Sequence, residues 1–404
     1  MKVSGWVEDI RDLGKIKFII LHTPKEDIQI TCKKDKMENF EVLKEISLQS
    51  AIEVEGEVVE SSISKLGKEI IAKRVEIISK APSILPIDPS GKVEYGLNER
   101  LNFRFLDLRN HKTLSIFKIQ NTIVKNFREF FEKNDFIEIF PPLIIESASE
   151  GGAELFEVKY FEKKAYLAQS PQLYKQMAAI SLGKVFCVVP IFRAEKFNTL
   201  YHLNQATSLD VEIAFSKYDD AMDYLEKYFI STLERIVNEN YKELIELKSK
   251  IEIPQKIERV KYEEVIEELK INFGEDLRRE HEEKICEIFG EAVFITDFPL
   301  TLRPFYTMPN EDGITSKSFD LIYKGLEISS GAQRIHIPEL LEKRIKECNL
   351  NVENFRDYIE AFKYGAPYHS GWAVGLERFT MKVCNLKNIR EACMWPRDRF
   401  RLKP

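Results

Sequence analysis

Three segments far apart in the chain place charged residues at the ends of apolar runs. Arg193 and Glu195 follow the run KVFCVVPIF and precede a polar loop holding Asn198, Thr199 and His202. Asp320 and Glu327 stand seven residues apart in FDLIYKGLEISSGAQR, and Gly375-Leu376-Glu377-Arg378 opens an apolar stretch. Arginine forks bind phosphate oxygens bidentately. Arg193 and Arg378, on separate elements, could clamp opposite ends of a triphosphate. Mg²⁺ takes one or two protein carboxylates together with phosphate oxygens, and Asp320 and Glu327 could supply them. Taken singly, each feature has a plainer reading: an Arg-x-Glu is usually a surface ion pair, and a lone Asp–Glu pair is usually solvated.

These groups need a scaffold, and the hydropathy pattern supplies one. KVFCVVPIF and the alternating SLDVEI read as two strands of an antiparallel hairpin. Residues 1–83 show three short alternating runs, a helical pattern over KMENFEVLKEIS, and two more runs. That is the order of an OB-type barrel, a fold that often binds single-stranded nucleic acid. A Pro-rich linker follows, taken over 84–110. In the next segment Ile116, Ile119, Ile123, Phe127 and Phe130 recur at helical spacing. DFIEIFPPLII reads as a strand interrupted by Pro141 and Pro142, which marks an edge or an interface. Residues from about 216 to 290, rich in Glu, Lys and Leu, read as a helical insertion in a domain spanning 111–404. Strands return in EAVFITDF, SFDLIYKGLEISSG and GWAVGLERF. The expected class is α+β, a small barrel followed by a domain with a mixed or antiparallel sheet. Walker-type and dinucleotide-type glycine loops are absent from the sequence.

Composition narrows the class further. With 404 residues, 44% hydrophobic and 31% charged, the chain is an ordinary globular protein of two or three domains. Its apolar runs fall short of the ~18 residues a membrane span needs, and MKVSGWVEDIRD lacks a signal core. A cytoplasmic protein without a membrane partner is expected. Six scattered cysteines without a C-x-x-C pair argue against zinc and against a disulfide framework. A net charge of −6 counts against indiscriminate nucleic-acid binding, although Arg397, Arg399, Arg401 and Lys403 make the C-terminus locally basic.

Several of these segments resemble one family. FRAEKFNTLYHL…SLDVE is similar to the second signature motif of class II aminoacyl-tRNA synthetases, GLERF to the third, and FFEKNDFIEIFPPLI to the first. More narrowly, RDLGKIKFII, LDLRN, SASEGGAELFEVKYF, LAQSPQLYKQ, FDLIYKGLEISSGAQR and WPRDRFRL resemble subclass IIb aspartyl-tRNA synthetases of the archaeal/eukaryotic type, in that family's order. The resemblance implies an OB-fold anticodon-binding domain and a catalytic domain with an antiparallel sheet. The enzyme would join L-aspartate to ATP and pass it to tRNA(Asp), with tRNA(Asn) left open as a second acceptor. Arg193 would bind the α-phosphate and the amino-acid carboxylate, Glu195 would lie beside the adenine, and Arg378 would hold adenine and γ-phosphate. Tyr201, His202, Leu203, Gly375, Leu376, Glu377 and Glu327 would complete the ATP site. Asp320, Glu327 and Ser330 would hold Mg²⁺. Lys175 and Arg334 would take the substrate's side-chain carboxylate, Glu150 its ammonium group, and Gln172 and Ser330 would close the pocket. In the barrel, Phe18 and Gln29 would stack on and read anticodon bases beside Arg11 and Glu69. The first motif implies a homodimer.

The chain departs from that pattern at several positions. Tyr201 stands where archaeal relatives carry an ATP-contacting arginine, Gln205 where an acid is common, and Ala206 where many relatives have a phenylalanine that stacks on adenine. Ser370 and Ala373 replace frequent glycines. The adenine stack would then rest on His202 and Arg378, and the changes together point toward weakened ATP binding.

Overall fold

The computed structural model describes residues 1–60, 67–147 and 154–403. Two compact units emerge, 1–99 and 100–404. The division falls inside the stretch read as a linker, and the second half of that stretch is built into the larger unit. Arg104, 1% exposed, donates to the carbonyls of Glu391, Cys393 and Met394 and pairs with Asp107.

In the smaller unit, β1 (Lys2–Asp12), β2 (Ile16–His22), β3 (Asp27–Lys33), β4 (Ala51–Glu60) and β5 (Lys68–Ser79) close a barrel in the order β1-β2-β3-β5-β4. Alternation fills its interior with Ile19, Leu21, Ile28, Ile30, Ile52, Val54 and Ile70. The expected helix contracts to a 3₁₀ turn, Phe40–Lys44. Just before it, Asn39 ties the chain to β5 by hydrogen bonds to the N–H and C=O of Val75.

The larger unit contains β6 (Ile137–Glu138), β7 (Ile144–Ile145), β8 (Glu157–Tyr160), β9 (Lys163–Leu167), β10 (Lys184–Phe192), β11 (Gln205–Ala214), β12 (Glu258–Lys261), β13 (Ala292–Thr296), β14 (Ser318–Tyr323), β15 (Glu327–Arg334) and β16 (His369–Gly375). Eight of them form one sheet, β12-β13-β14-β15-β16-β11-β10-β6, and β7-β9-β8 form a small second one. The large sheet is antiparallel in its middle and parallel at its two outermost pairs. DFIEIFPPLII does not run through as a single strand. Two successive prolines lack the N–H a ladder needs, so β6 and β7 fall in different sheets.

Strand parity decides where the chemistry goes. Leu209, Val211, Ile213, Phe319, Leu321, Trp372 and Val374 face one way, into a core shared with the helices His111–Lys133 and Tyr218–Glu239. Tyr218–Glu239 buries Leu225, Tyr228, Phe229 and Leu233 there. The segment read as an insertion therefore begins as part of the main core, and it also contributes strand β12. Asp210, Glu212, Asp320, Ser330 and Arg334 share the opposite face. Directly across from Asp210 and Glu212 lie Ala373 and Gly371. A Cβ on Gly371 would sit 2.3 Å from Glu212 Oε2, so only glycine leaves that carboxylate its place.

Candidate active site

The β10–β11 hairpin holds the first group of residues. Arg193 N–H donates to Asn204 O at 3.0 Å, and the Asn204 side chain donates to the carbonyls of Arg193 (2.7 Å) and Glu195 (3.0 Å). This clamp leaves the Arg193 guanidinium 44% exposed at the mouth of the hairpin, 3.9 Å from Glu195. One Glu195 carboxylate oxygen is buried with no hydrogen-bond partner among the described residues. His202 bonds Thr199 Oγ1 at 2.6 Å. Burial, and then Arg378 and Arg193, push its pKa down to about 4, so the imidazole is neutral at pH 7. Leu203 is buried among Leu326, Met381 and Ile389 and anchors the loop. Arg390 grips the same loop through Thr199 O at 3.0 Å and Asn198. It lies almost two hundred residues away in a C-terminal stretch without periodicity, where no local pattern marks it.

The third motif closes the other side. Gly375 precedes the helix Leu376–Val383, whose first two residues point inward. Leu376 is 6% exposed, and Glu377 accepts the Thr207 N–H at 2.9 and 3.1 Å. Both tie the helix to β11. Arg378 turns toward the sheet and donates to Glu327 O at 3.1 Å.

Asp320 and Ser330 lie side by side on β14 and β15. Arg303, which the sequence reading missed because it sits in an irregular stretch, binds both Asp320 oxygens at 3.0 and 2.7 Å and reaches Ser330 Oγ at 3.3 Å. Its guanidinium rests 3.7 Å above the Phe298 ring. The Glu327 carboxyl lies above its ordinary pKa, through desolvation and then the nearby negative Asp320. Glu282, also missed, is pushed up to about 7 by burial and then by Glu327. Asp320 and Glu327 are close enough to perturb one another, and a divalent cation of the Mg²⁺ kind that took both carboxylates would displace Arg303 from Asp320.

Lys175 and Arg334 are both buried, 1% and 4% exposed, and neither is unpaired. Lys175 Nζ lies 2.7 Å from Asp210 and 3.5 Å from Glu212, and donates to Trp372 O at 3.1 Å. Arg334 binds Glu212 through Nε at 2.9 Å and Nη2 at 3.2 Å. The two cations and two carboxylates therefore form one nearly neutral network. Gln172 starts the helix that carries Lys175, and its amide nitrogen is buried without a partner among the described residues. Glu150 lies outside the described residues.

In the barrel, Arg11 pairs across the sheet with Phe18, Phe18 with Thr31, Ile20 with Gln29, and Gln29 with Glu69. Arg11, Phe18, Gln29 and Glu69 therefore share one face of four adjoining strands. Gln29 donates to Glu69 at 3.0 Å, and Thr31 donates to the same carboxylate.

Comparison with known proteins agrees with both units. Residues 1–78 match the OB-fold nucleic acid binding domain, and residues 96–399 match the class II tRNA synthetases (D, K and N). The aspartate–tRNA(Asp/Asn) ligase of Methanopyrus kandleri is 46% identical, over 100% of this chain and 96% of that protein. The aspartate–tRNA(Asp) ligase of Picrophilus torridus is 46% identical, over 100% and 97%. Among solved structures, asparaginyl-tRNA synthetase from Pyrococcus horikoshii complexed with asparaginyl-adenylate superposes with a TM-score of 0.95 at 29% identity, covering 100% of this chain and 96% of that one. Aspartyl-tRNA synthetase from Entamoeba histolytica gives 0.88 at 31%, covering 100% and 90%. The barrel-plus-sheet architecture expected from the sequence is the one observed, and by fold and by these matches the chain belongs to the class II tRNA synthetases of the aspartate, lysine and asparagine group.

Proposed function

We propose that this chain is an aspartate–tRNA ligase that makes aspartyl-adenylate from L-aspartate and ATP and passes aspartate to the 3′ end of tRNA(Asp). What supports the substrate choice, beyond the relatives' names, is the Lys175–Asp210–Glu212–Arg334 network on the site face of the sheet. Lysine and arginine offer only N–H donors. A side-chain carboxylate accepts from them with both oxygens, whereas the amide of asparagine would set an N–H₂ group against a donor.

In the activation step an oxygen of the substrate's α-carboxylate attacks the α-phosphorus and pyrophosphate leaves. The nucleophile is already ionised, so positioning and charge neutralisation carry the step. Arg193 neutralises charge on the α-phosphate and orients the attacking carboxylate. Glu195 and the neutral His202 meet the adenine, and Arg378 holds the ATP near adenine and γ-phosphate. Lys175 and Arg334 hold the side-chain carboxylate, Gln172 and Ser330 complete the pocket, and Glu150, outside the described residues, is assigned to the ammonium group by resemblance alone. Asp320, Glu327 and Ser330 would hold Mg²⁺, which when bound offsets phosphate charge. The barrel face with Phe18 and Gln29 reads the anticodon. The enzyme works as a homodimer in the cytoplasm. Among the described residues no helix is long and apolar enough to cross a membrane.

The deciding experiment is ATP–pyrophosphate exchange with aspartate and with asparagine, followed by charging of tRNA(Asp) and tRNA(Asn). Exchange with aspartate and not asparagine is expected. Exchange with neither, by folded protein, would overturn the reading. Charging of both tRNAs would extend it to a second acceptor.

A further inference from the structure

The loop between β10 and β11 is irregular over 196–203, so its backbone groups must be met from elsewhere. A segment from the far end of the chain meets several of them. Ile389 N–H donates to Leu200 O at 2.9 Å, and Asn204 N–H donates to Arg397 O at 2.8 Å. Arg399 donates to Lys196 O at 2.5 Å. Arg390, 7% exposed, makes the central contact. Its Nη1 donates to Thr199 O at 3.0 Å and its Nη2 to the Asn198 side chain. Asp398 holds the fork through Nε at 2.6 Å. The segment is itself fixed to the rest of the unit. Arg104 donates to the carbonyls of Glu391, Cys393 and Met394, and Gln120 to that of Ala392 at 2.7 Å.

Thr199 carries this constraint to His202. Its hydroxyl oxygen lies 2.6 Å from His202 Nδ1 and accepts the Tyr201 N–H at 3.2 Å. A hydroxyl has one proton to give, and with the oxygen engaged by Tyr201 the geometry directs that proton to Nδ1. The bond made at one ring nitrogen sets which nitrogen carries the hydrogen, so the neutral imidazole carries it on Nε2. The Phe197 ring, 4.8 Å away and at 83° to the imidazole, meets it edge to face.

We propose that Arg390 is a positioning residue for His202. By holding Thr199 and Asn198 it keeps the imidazole in one orientation and in the Nε2–H form, presenting one donor to the nucleotide. The role needs an arginine, because three nitrogens of one plane act at once on Asp398, Thr199 and Asn198. A lysine would keep a charge for Asp398 and lose the fork. The link to the nucleotide rests on the ligase reading, in which His202 meets ATP; the tautomer does not.

The test is nitrogen-15 NMR of the full chain labelled at histidine, with the His202 signal identified by its loss in His202→Gln, alongside exchange kinetics. Wild type is expected to show the Nε2–H form. Arg390→Lys and Thr199→Val are expected to show a mixture of the two forms. Each should raise the KM for ATP about tenfold, as the loss of one oriented hydrogen bond would, and leave the KM for aspartate within about twofold. Thr199→Ser, which keeps the hydroxyl, is expected to match wild type in both readouts. An Nδ1–H signal in wild type, a signal unmoved in Arg390→Lys, or KM values that change equally or not at all would overturn the proposal. Should Arg390→Lys misfold, Thr199→Val against Thr199→Ser decides on the same readouts. Wild-type protein without aspartate-dependent exchange would sink the ligase reading, and the NMR signal would still decide whether Arg390 positions His202.

Discussion

Lys175 Nζ and Asp210 Oδ1 meet at 2.7 Å with their side chains 1% and 2% exposed. A buried ion pair is weak evidence of stabilisation, because desolvation offsets most of the attraction. Its presence on the site face, beside the Arg334–Glu212 pair, makes better sense as orientation: each carboxylate fixes the direction of a cation that, under the proposed function, takes the substrate's side-chain carboxylate.

That view predicts a separation of stability from activity. Lys175→Met leaves Asp210 buried beside Ser208 without its cation and should destabilise the fold by about 3–5 kcal/mol. Lys175→Met/Asp210→Leu removes both charges and should regain most of that loss. Both variants should raise the KM for aspartate on the order of 100-fold, since a charged contact of ~3 kcal/mol is absent in each. Chemical denaturation alongside exchange kinetics checks this. A double variant no more stable than the single one would mean the pair is structural and not orienting.

Glu377 makes a pH-dependent contribution whose sign follows from its burial. It is 5% exposed, and desolvation raises its pKa from 4.5 to about 7 against the opposing hydrogen bond from Thr207. The folded state then holds the proton more tightly than the unfolded one. Stability attributable to this group is complete below pH 4.5 and falls as pH rises to 7, by up to about 3 kcal/mol. Glu377→Gln keeps an acceptor for Thr207 N–H and cannot ionise. Denaturation midpoints at pH 5 and pH 8 should therefore lie closer together in the variant than in the wild type. An identical gap in both would exclude Glu377 as the source.

The parts legible in the sequence were those governed by short-range periodicity. The alternation in SLDVEI set Asp210 and Glu212 on one face and Leu209, Val211 and Ile213 on the other. The barrel's strand order was visible for the same reason. Residues delivered by irregular segments were not visible. Arg303 reaches Asp320 from a loop, and Glu282 reaches Glu327 from a helix whose acids look solvated in sequence. The contraction of KMENFEVLKEIS to a single 3₁₀ turn depends on Asn39 meeting Val75 across the barrel, a pairing no local pattern encodes. The inward turn of Glu377 depends likewise on Thr207, which lies 170 residues earlier.

The barrel face yields a prediction independent of the catalytic unit. Phe18 is partly exposed, on the strand face opposite the buried Ile19 and Leu21, beside Arg11 and close to the Gln29–Glu69 pair. Stacking of one base on an aromatic contributes roughly 1–3 kcal/mol. Phe18→Ala should therefore weaken tRNA(Asp) binding by about one order of magnitude in a filter assay and leave aspartate-dependent exchange unchanged. Unaltered tRNA affinity would place base recognition on another part of the barrel.

The outer strand β6 yields the last prediction. It pairs with β10 on one side and ends the large sheet on the other. An edge strand left bare is prone to pair with another chain. Ile137 is 49% exposed and Phe140, just before the two prolines, is 88% exposed. Large apolar side chains at a sheet edge are what a two-fold interface buries, because each copy presents the same patch to the other. Phe140→Glu would set two like charges close together in such an interface. Sedimentation of the wild-type chain should show a dimer, and the variant should shift toward monomer at micromolar concentration with its circular dichroism unchanged. A dimer that survives the substitution intact would move the interface away from β6.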